Sequence, residues 1–163
     1  MIKLKLIGFW SGGPETIKDP NGGGYKIVLK SESWIDPACL VDENCQSEVR
    51  PLLVSYLKKG RKYASYMGYS FCRFAGGPPN EEMGDSELTD GVWLWPEGLW
   101  IYVDKYKVRL PEEFVVCAKS NGFRIPKIDM RTLDPNAYDS GFWRDWCAKE
   151  KARYGGMKQD TST

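Results

Sequence analysis

Apolar and polar residues alternate at the start of the chain, where Ile2, Leu4 and Leu6 are separated by Lys3 and Lys5. A period of two predicts a half-buried strand, because successive strand side chains point to opposite faces. Tyr25, Ile27 and Leu29 alternate with Lys26 and Lys30 and predict a second strand. The segment between them, Gly8 to Gly24, holds Ser11-Gly12-Gly13-Pro14 and Gly22-Gly23-Gly24, and is long for a hairpin loop. The period then changes. Val49, Leu52, Leu53, Tyr56 and Leu57 recur at helical spacing, with Ser47 as a candidate cap and Gly60 as a candidate stop. Pro51 falls in the first turn of this helix, where its missing N–H does little harm.

Lys62 to Phe74 is rich in Tyr, Phe and Ser and predicts two strands, or one strand bent at Gly68. Pro78-Pro79-Asn80 breaks the chain. Leu88-Thr89, Asp90-Gly91 and Val92 to Trp95 predict a tight hairpin, since Asp-Gly suits a two-residue turn with positive φ. Pro96-Glu97 opens a predicted helix with Leu99, Tyr102, Val103 and Tyr106 as its apolar stripe. Pro111-Glu112-Glu113 opens another, carrying Phe114, Cys117 and Ala118 and stopping at Gly122. Phe123 to Tyr138 shows no period and is expected to be irregular. A last helix is expected from Gly141 to Tyr154, with Trp143, Trp146 and Cys147 inward and residues 155–163 frayed.

Strand signals are separated by hairpin-sized gaps rather than by crossover helices. The expected architecture is therefore one α+β domain over residues 1–163. It has a mainly antiparallel sheet of about four to six strands, with about three to four helices packed on one face.

Composition narrows the function classes. Basic and acidic residues number 23 and 22, a net charge of +1, which gives no electrostatic case for nucleic acid or an anionic membrane. No apolar run is long enough to span a bilayer, and the lysines inside the first strand do not fit a secretion signal. Five cysteines at irregular spacing then point to free thiols in a reducing compartment, and the expected location is cytoplasmic. Histidine is absent, which removes His-based triads, imidazole metal sites and the usual proton shuttle. Cys39 and Cys45 lack the spacing of a zinc knuckle, so no metal and no cofactor are expected. Seven Trp and nine Tyr are many rings for one small core, and low net charge does not oppose association. A homo-oligomer, with a dimer as first choice, is expected.

Candidate chemistry concentrates between Leu88 and Val116. Trp93 and Trp95 project to the same face of their strand, flanked by Asp90 and Glu97, and rings beside carboxylates can hold a sugar, a cation or a peptide. Arg73 beside Cys72 adds a cation that can lower a thiol pKa. The candidate ligand-binding set is Arg73, Asp90, Trp93, Trp95 and Glu97, with no catalytic residue assigned. A plainer reading makes the tryptophans core, Asp90 a turn residue, Glu97 a helix start and Cys72 a small apolar filler. Asp90 and Glu97 could also act as a glycosidase pair if they face each other across a cleft. The glycine loops lack the Gly-Lys-Ser/Thr ending of a phosphate loop. The Lys58-Lys59-Gly60-Arg61-Lys62 cluster suits a solvated helix end, where cations are favourable.

The block Thr-Asp-Gly-Val-Trp-Leu-Trp-Pro-Glu-Gly-Leu, Thr89 to Leu99, together with Val-Arg-Leu-Pro-Glu-Glu-Phe, Val108 to Phe114, and the Cys72-Arg73 pair before them, resembles a family of small uncharacterised bacterial proteins found at mobile loci such as integron cassettes. The resemblance covers less than a third of the chain. It implies a shared fold and no particular activity. A zinc set of a second Cys and two His belongs to the resemblance, but the matching positions here are Ala75, Ile101 and Tyr106. The expected function is a non-catalytic binding or interaction protein that self-associates and takes an unknown small molecule or protein. The alternative is a small enzyme acting on a carbohydrate-like neutral ligand through Asp90 and Glu97.

Overall fold

A computed structural model describes residues 1–11 and 34–160, with side chains through Gly156. The strand expected at Tyr25–Lys30 and most of the glycine-rich loop lie outside the described residues. Among the described residues five strands form one sheet: β1 (Ile2–Leu6), β2 (Arg61–Ser65), β3 (Ser86–Thr89), β4 (Trp93–Pro96) and β5 (Leu133–Asp139). Five helices accompany them: α1 (Arg50–Lys58), α2 (Asn80–Met83), α3 (Leu99–Tyr106), α4 (Glu112–Ser120) and α5 (Gly141–Asp160). The class is α+β, as expected.

The strand order is β2-β3-β4-β1-β5. β2 with β3 and β3 with β4 are antiparallel, whereas β4 with β1 and β1 with β5 are parallel. The sheet is therefore mixed, which corrects the expectation of a mainly antiparallel one. Two features of the sequence hid the parallel half. β1 reaches its partners only across long stretches of chain. β5 reads Leu-Asp-Pro-Asn-Ala-Tyr-Asp, a poor strand by composition. Among the described residues it has a strand on one side only, and Pro135 is tolerated where the other side needs no ladder donors.

Register decides which residues reach the core. Leu88 lies opposite Trp95, and Thr89 opposite Leu94. Lys5 lies opposite Trp93, and Leu6 opposite Leu94. One face thus carries Leu88, Trp93 and Trp95, and the other carries Leu6 and Leu94; all five are buried. Tyr56 of α1 stacks on Trp95 with centroids 6.2 Å apart, and Phe114 of α4 meets the edges of both tryptophans. α5 closes over the chain that follows β1: Trp143 Nε1 donates to the Phe9 carbonyl at 2.8 Å, and its ring meets Trp10 at 5.3 Å.

Several element boundaries depart from the sequence reading. α1 buries Leu53, Val54, Tyr56 and Leu57 but leaves Leu52 exposed, because its buried face is turned toward Val54 and away from Leu52. The second half of the Tyr- and Phe-rich segment, after Ser65, is a loop and not a strand. Pro96 ends β4 instead of opening α3. The Asp90-Gly91 turn is wider than two residues, since Thr89 pairs with Leu94. Gly91 holds φ at +93°, which favours glycine there. α5 runs on through Gly155 and Gly156 to Asp160.

Candidate functional site

β1 and β4 run parallel side by side, and a cavity of about 300 Å³ opens just past their C-terminal ends. Ligand crevices of open α/β sheets occupy the same place relative to the strands. Gly8, Phe9 and Trp10 follow β1 into one wall, and Pro96, Gly98, Leu99 and Tyr102 follow β4 into another. The loop after β2 supplies Tyr66, Tyr69, Phe71 and Arg73, and β3 supplies Ser86 and Glu87. Trp34 and Asp85 complete the lining that carries rings or charge.

Local hydrogen bonds fix this loop. Tyr66 N–H donates to the Asp85 carbonyl at 2.8 Å, and Ser70 N–H donates to the Gly84 carbonyl at 2.9 Å. The two bonds pin both ends of the turn Tyr66–Ser70 to the backbone leading into β3. Arg73 is held in turn. Its backbone N–H donates to the Tyr102 hydroxyl at 3.0 Å, one guanidinium nitrogen donates to the Phe71 carbonyl at 2.6 Å, and the guanidinium lies over the Phe71 ring.

The electrostatics are those of a partly dry site. Burial raises the Glu87 carboxyl above the usual carboxylate range, while the Tyr66 hydroxyl, hydrogen-bonded to it, pulls the other way. The Tyr66 phenol is itself pushed up to about 12, first by burial and then by Glu87. Burial lowers the Arg73 guanidinium and raises the Tyr102 phenol. Three atoms of the lining residues have essentially no accessible surface and no hydrogen-bond partner among the described residues: Trp10 Nε1, Arg73 Nε and Glu87 Oε2. Buried polar atoms in native proteins are nearly always satisfied, so each of these calls for an explanation.

Of the five residues singled out in the sequence, Arg73 alone lines this cavity. Trp93 and Trp95 are core, at 3% and 0% exposure, so they offer no exposed stacking surface in this structure. Trp95 Nε1 donates to the Leu57 carbonyl at 3.1 Å, and Trp93 sits between Phe114 and Phe142. Asp90 is 1% exposed and fills its acceptor positions with the Tyr56 hydroxyl at 2.8 Å and the N–H groups of Val92 and Trp93 at 2.9 and 2.7 Å. Glu97 acts as a support: it accepts from Asp85 N–H at 3.2 Å and packs against Gly84, where a Cβ would collide with its carboxylate. It thereby holds the turn from which Ser86 and Glu87 enter the cavity.

Sequence reasoning missed Glu87, Trp10, Tyr66, Tyr69 and Tyr102. The available signal was the run of rings after β2, whose loop conformation brings Tyr66, Tyr69 and Phe71 together to the cavity instead of alternating them across a sheet. Among the described residues no group of three or more His, Cys, Asp or Glu is placed to hold a metal ion. No helix among them is long and apolar enough to cross a membrane. No protein-family model matches the chain, and no curated protein or solved structure matches it.

Proposed function

We propose that the protein is a binding protein whose ligand occupies the cavity between the Tyr66–Ser70 turn and the ends of β1 and β4. The observation that carries this reading is the coincidence, in one cavity, of aromatic walls with the oppositely charged residues Arg73 and Glu87. Small-molecule sites are mostly apolar concavities with a few convergent polar groups, and about 300 Å³ lies at the lower end of their size range. The alternative of an enzyme working through Asp90 and Glu97 has less support. Both carboxylates are engaged by backbone N–H groups and neither lines the cavity.

A fragment library screened by ligand-observed NMR against the wild type and Tyr69→Ala tests the binding reading. Tyr69 is more than half exposed, so its removal leaves the core intact. Fragments that bind the wild type should bind the variant about tenfold more weakly, with the thermal midpoint unchanged. No binding fragment, or binders indifferent to Tyr69→Ala, would remove the cavity from consideration.

Self-association is a second reading, favoured by the same turn. Tyr66, Met67 and Tyr69 are exposed together at its tip, and Met67 is fully exposed. Sedimentation at two concentrations tenfold apart decides it. A dimer that Met67→Asp returns to monomer supports the reading, and a wild-type monomer at both concentrations removes it.

A further inference from the structure

Pro96, Glu97 and Gly98 join β4 to α3, and they grip the segment Met83–Ser86 that leads into β3. Glu97 N–H donates to the Ser86 carbonyl at 2.9 Å, one step beyond the Glu87–Pro96 pair of the ladder. The Glu97 carboxylate accepts from Asp85 N–H at 3.2 Å. Gly98 lies so close to Met83 that a Cβ on it would stand 2.6 Å from the Met83 carbonyl oxygen and 3.1 Å from its Cα. Gly98 holds φ at −80° and ψ at 3°, a turn conformation open to any L residue. Its missing side chain therefore serves this close approach and not a backbone requirement. Gly84 does have such a requirement, with φ at +78°, and the Glu97 carboxylate occupies the place of its Cβ.

The gripped segment holds the ring-bearing turn of the cavity. Ser70 N–H donates to the Gly84 carbonyl and Tyr66 N–H to the Asp85 carbonyl. The Gly84 carbonyl and the Asp85 N–H belong to one planar peptide unit, so fixing one fixes the other. A glycine on its amino side leaves that unit unusually free to rotate. A charge-assisted bond from the Glu97 carboxylate to the N–H removes this freedom and aims the carbonyl at Ser70. Tyr66 and Tyr69 are more than half exposed, so burial does little to place them, and the backbone bonds at the ends of the turn do most. Glu97 itself lies outside the lining of the cavity. Resting on the binding reading above, we propose that Glu97 is a positioning residue of the site. Its carboxylate fixes the Gly84–Asp85 peptide and thereby the place of the Tyr66–Ser70 turn, and Gly98 gives the two segments the room to meet.

Amide hydrogen exchange of the free protein, followed by fragment affinities, tests this. Glu97→Ala should speed exchange at Tyr66 and Ser70 by about tenfold. It should leave Lys5 and Ile7 unchanged, whose N–H groups bond to Val92 and Leu94 across the β1–β4 pair. Glu97→Gln keeps a side-chain carbonyl that can accept from Asp85 N–H and should restore most of the protection. Gly98→Ala adds a collision with Met83 without backbone strain and should speed the same two amides. Fragments that depend on Tyr69 should bind Glu97→Ala about tenfold more weakly and Glu97→Gln nearly as well as the wild type. Unchanged exchange at Tyr66 and Ser70 in Glu97→Ala overturns the assignment. So does a rise shared equally by Lys5 and Ile7, or a loosened turn with undiminished fragment affinity. If no fragment binds the wild type, the cavity reading falls alone, and the exchange pattern still decides whether Glu97 holds the turn.

Discussion

The Tyr56 hydroxyl donates a 2.8 Å hydrogen bond to the Asp90 carboxylate, and so ties α1 to the turn between β3 and β4. Asn121, just past α4, donates to the same hydroxyl at 3.0 Å. Asp90 also caps the N–H groups of Val92 and Trp93, so one buried carboxylate organises three pieces of chain. Asp90→Ala is expected to lower the folding free energy by about 2–4 kcal/mol, because it leaves several buried donors unpaired. Tyr56→Phe, which removes one donor and keeps the ring, should cost about 1–2 kcal/mol. Urea unfolding measures both. An unchanged midpoint for Asp90→Ala would free this carboxylate for a ligand and revive the enzyme reading.

Much of the fold is written in period and punctuation, and the site is not. α1 and α4 follow from helical spacing plus Pro and Gly at their ends, and α3 from its spacing, since a buried stripe and a chain stop are local properties. The β3–β4 hairpin follows from Asp90-Gly91 for the same reason. β5 does not, because Leu133–Asp139 is a strand by virtue of pairing beside β1 and not by its own composition. The cavity fails similarly. Its walls come from Trp10, Tyr66, Glu87 and Tyr102, which no local pattern joins. Trp93 and Trp95 attracted attention because they are adjacent in a dense motif, yet large rings in a central strand serve packing first.

Gly60 marks a close approach between the end of α1 and the sheet. A Cβ there would lie 2.5 Å from Trp95 Cζ2 and 2.8 Å from Leu88 Cβ. Both neighbours are buried and cannot swing away, so Gly60→Ala should destabilise the protein by about 1–3 kcal/mol through overpacking. Gly155→Ala in α5, where a Cβ meets nothing within 4 Å, is the control and should be neutral or slightly stabilising. Equal midpoints for the two variants would mean that α1 can shift away from Trp95.

The five cysteines form no disulfide, and they differ in reach. Cys147 is fully buried, and burial pushes its thiol up to about 11. Cys39, Cys45, Cys72 and Cys117 are partly exposed. Because thiolates are the reactive form, alkylation of the native protein near pH 8 should label Cys147 last, with the rate set by opening of α5. Mass spectrometry of a labelling time course reads the order. Cys147 reacting as fast as Cys72 would show α5 detached in solution.

Glu87 gives the cavity a pH signature. Burial raises its carboxyl in the folded protein above the ordinary value of about 4.3 that holds in the unfolded chain. Between those two values the native state binds more protons than the unfolded state, so the stability contributed by this group falls as pH rises. Below the ordinary value both states are protonated and the contribution is constant; above the raised value both are ionised and the loss is complete. The Tyr66 phenol that faces Glu87 titrates only near 12 and does not blur this window. Glu87→Gln keeps the side-chain shape and removes the titration. The stability difference between variant and wild type should therefore grow in the variant's favour from the ordinary carboxylate range upward and then level off. Urea midpoints taken across acidic and neutral pH measure it. Parallel curves for the two proteins would mean that the Glu87 carboxylate is as well solvated in the fold as in the unfolded chain, and the cavity would lose its anionic pole as a feature distinct from the surface.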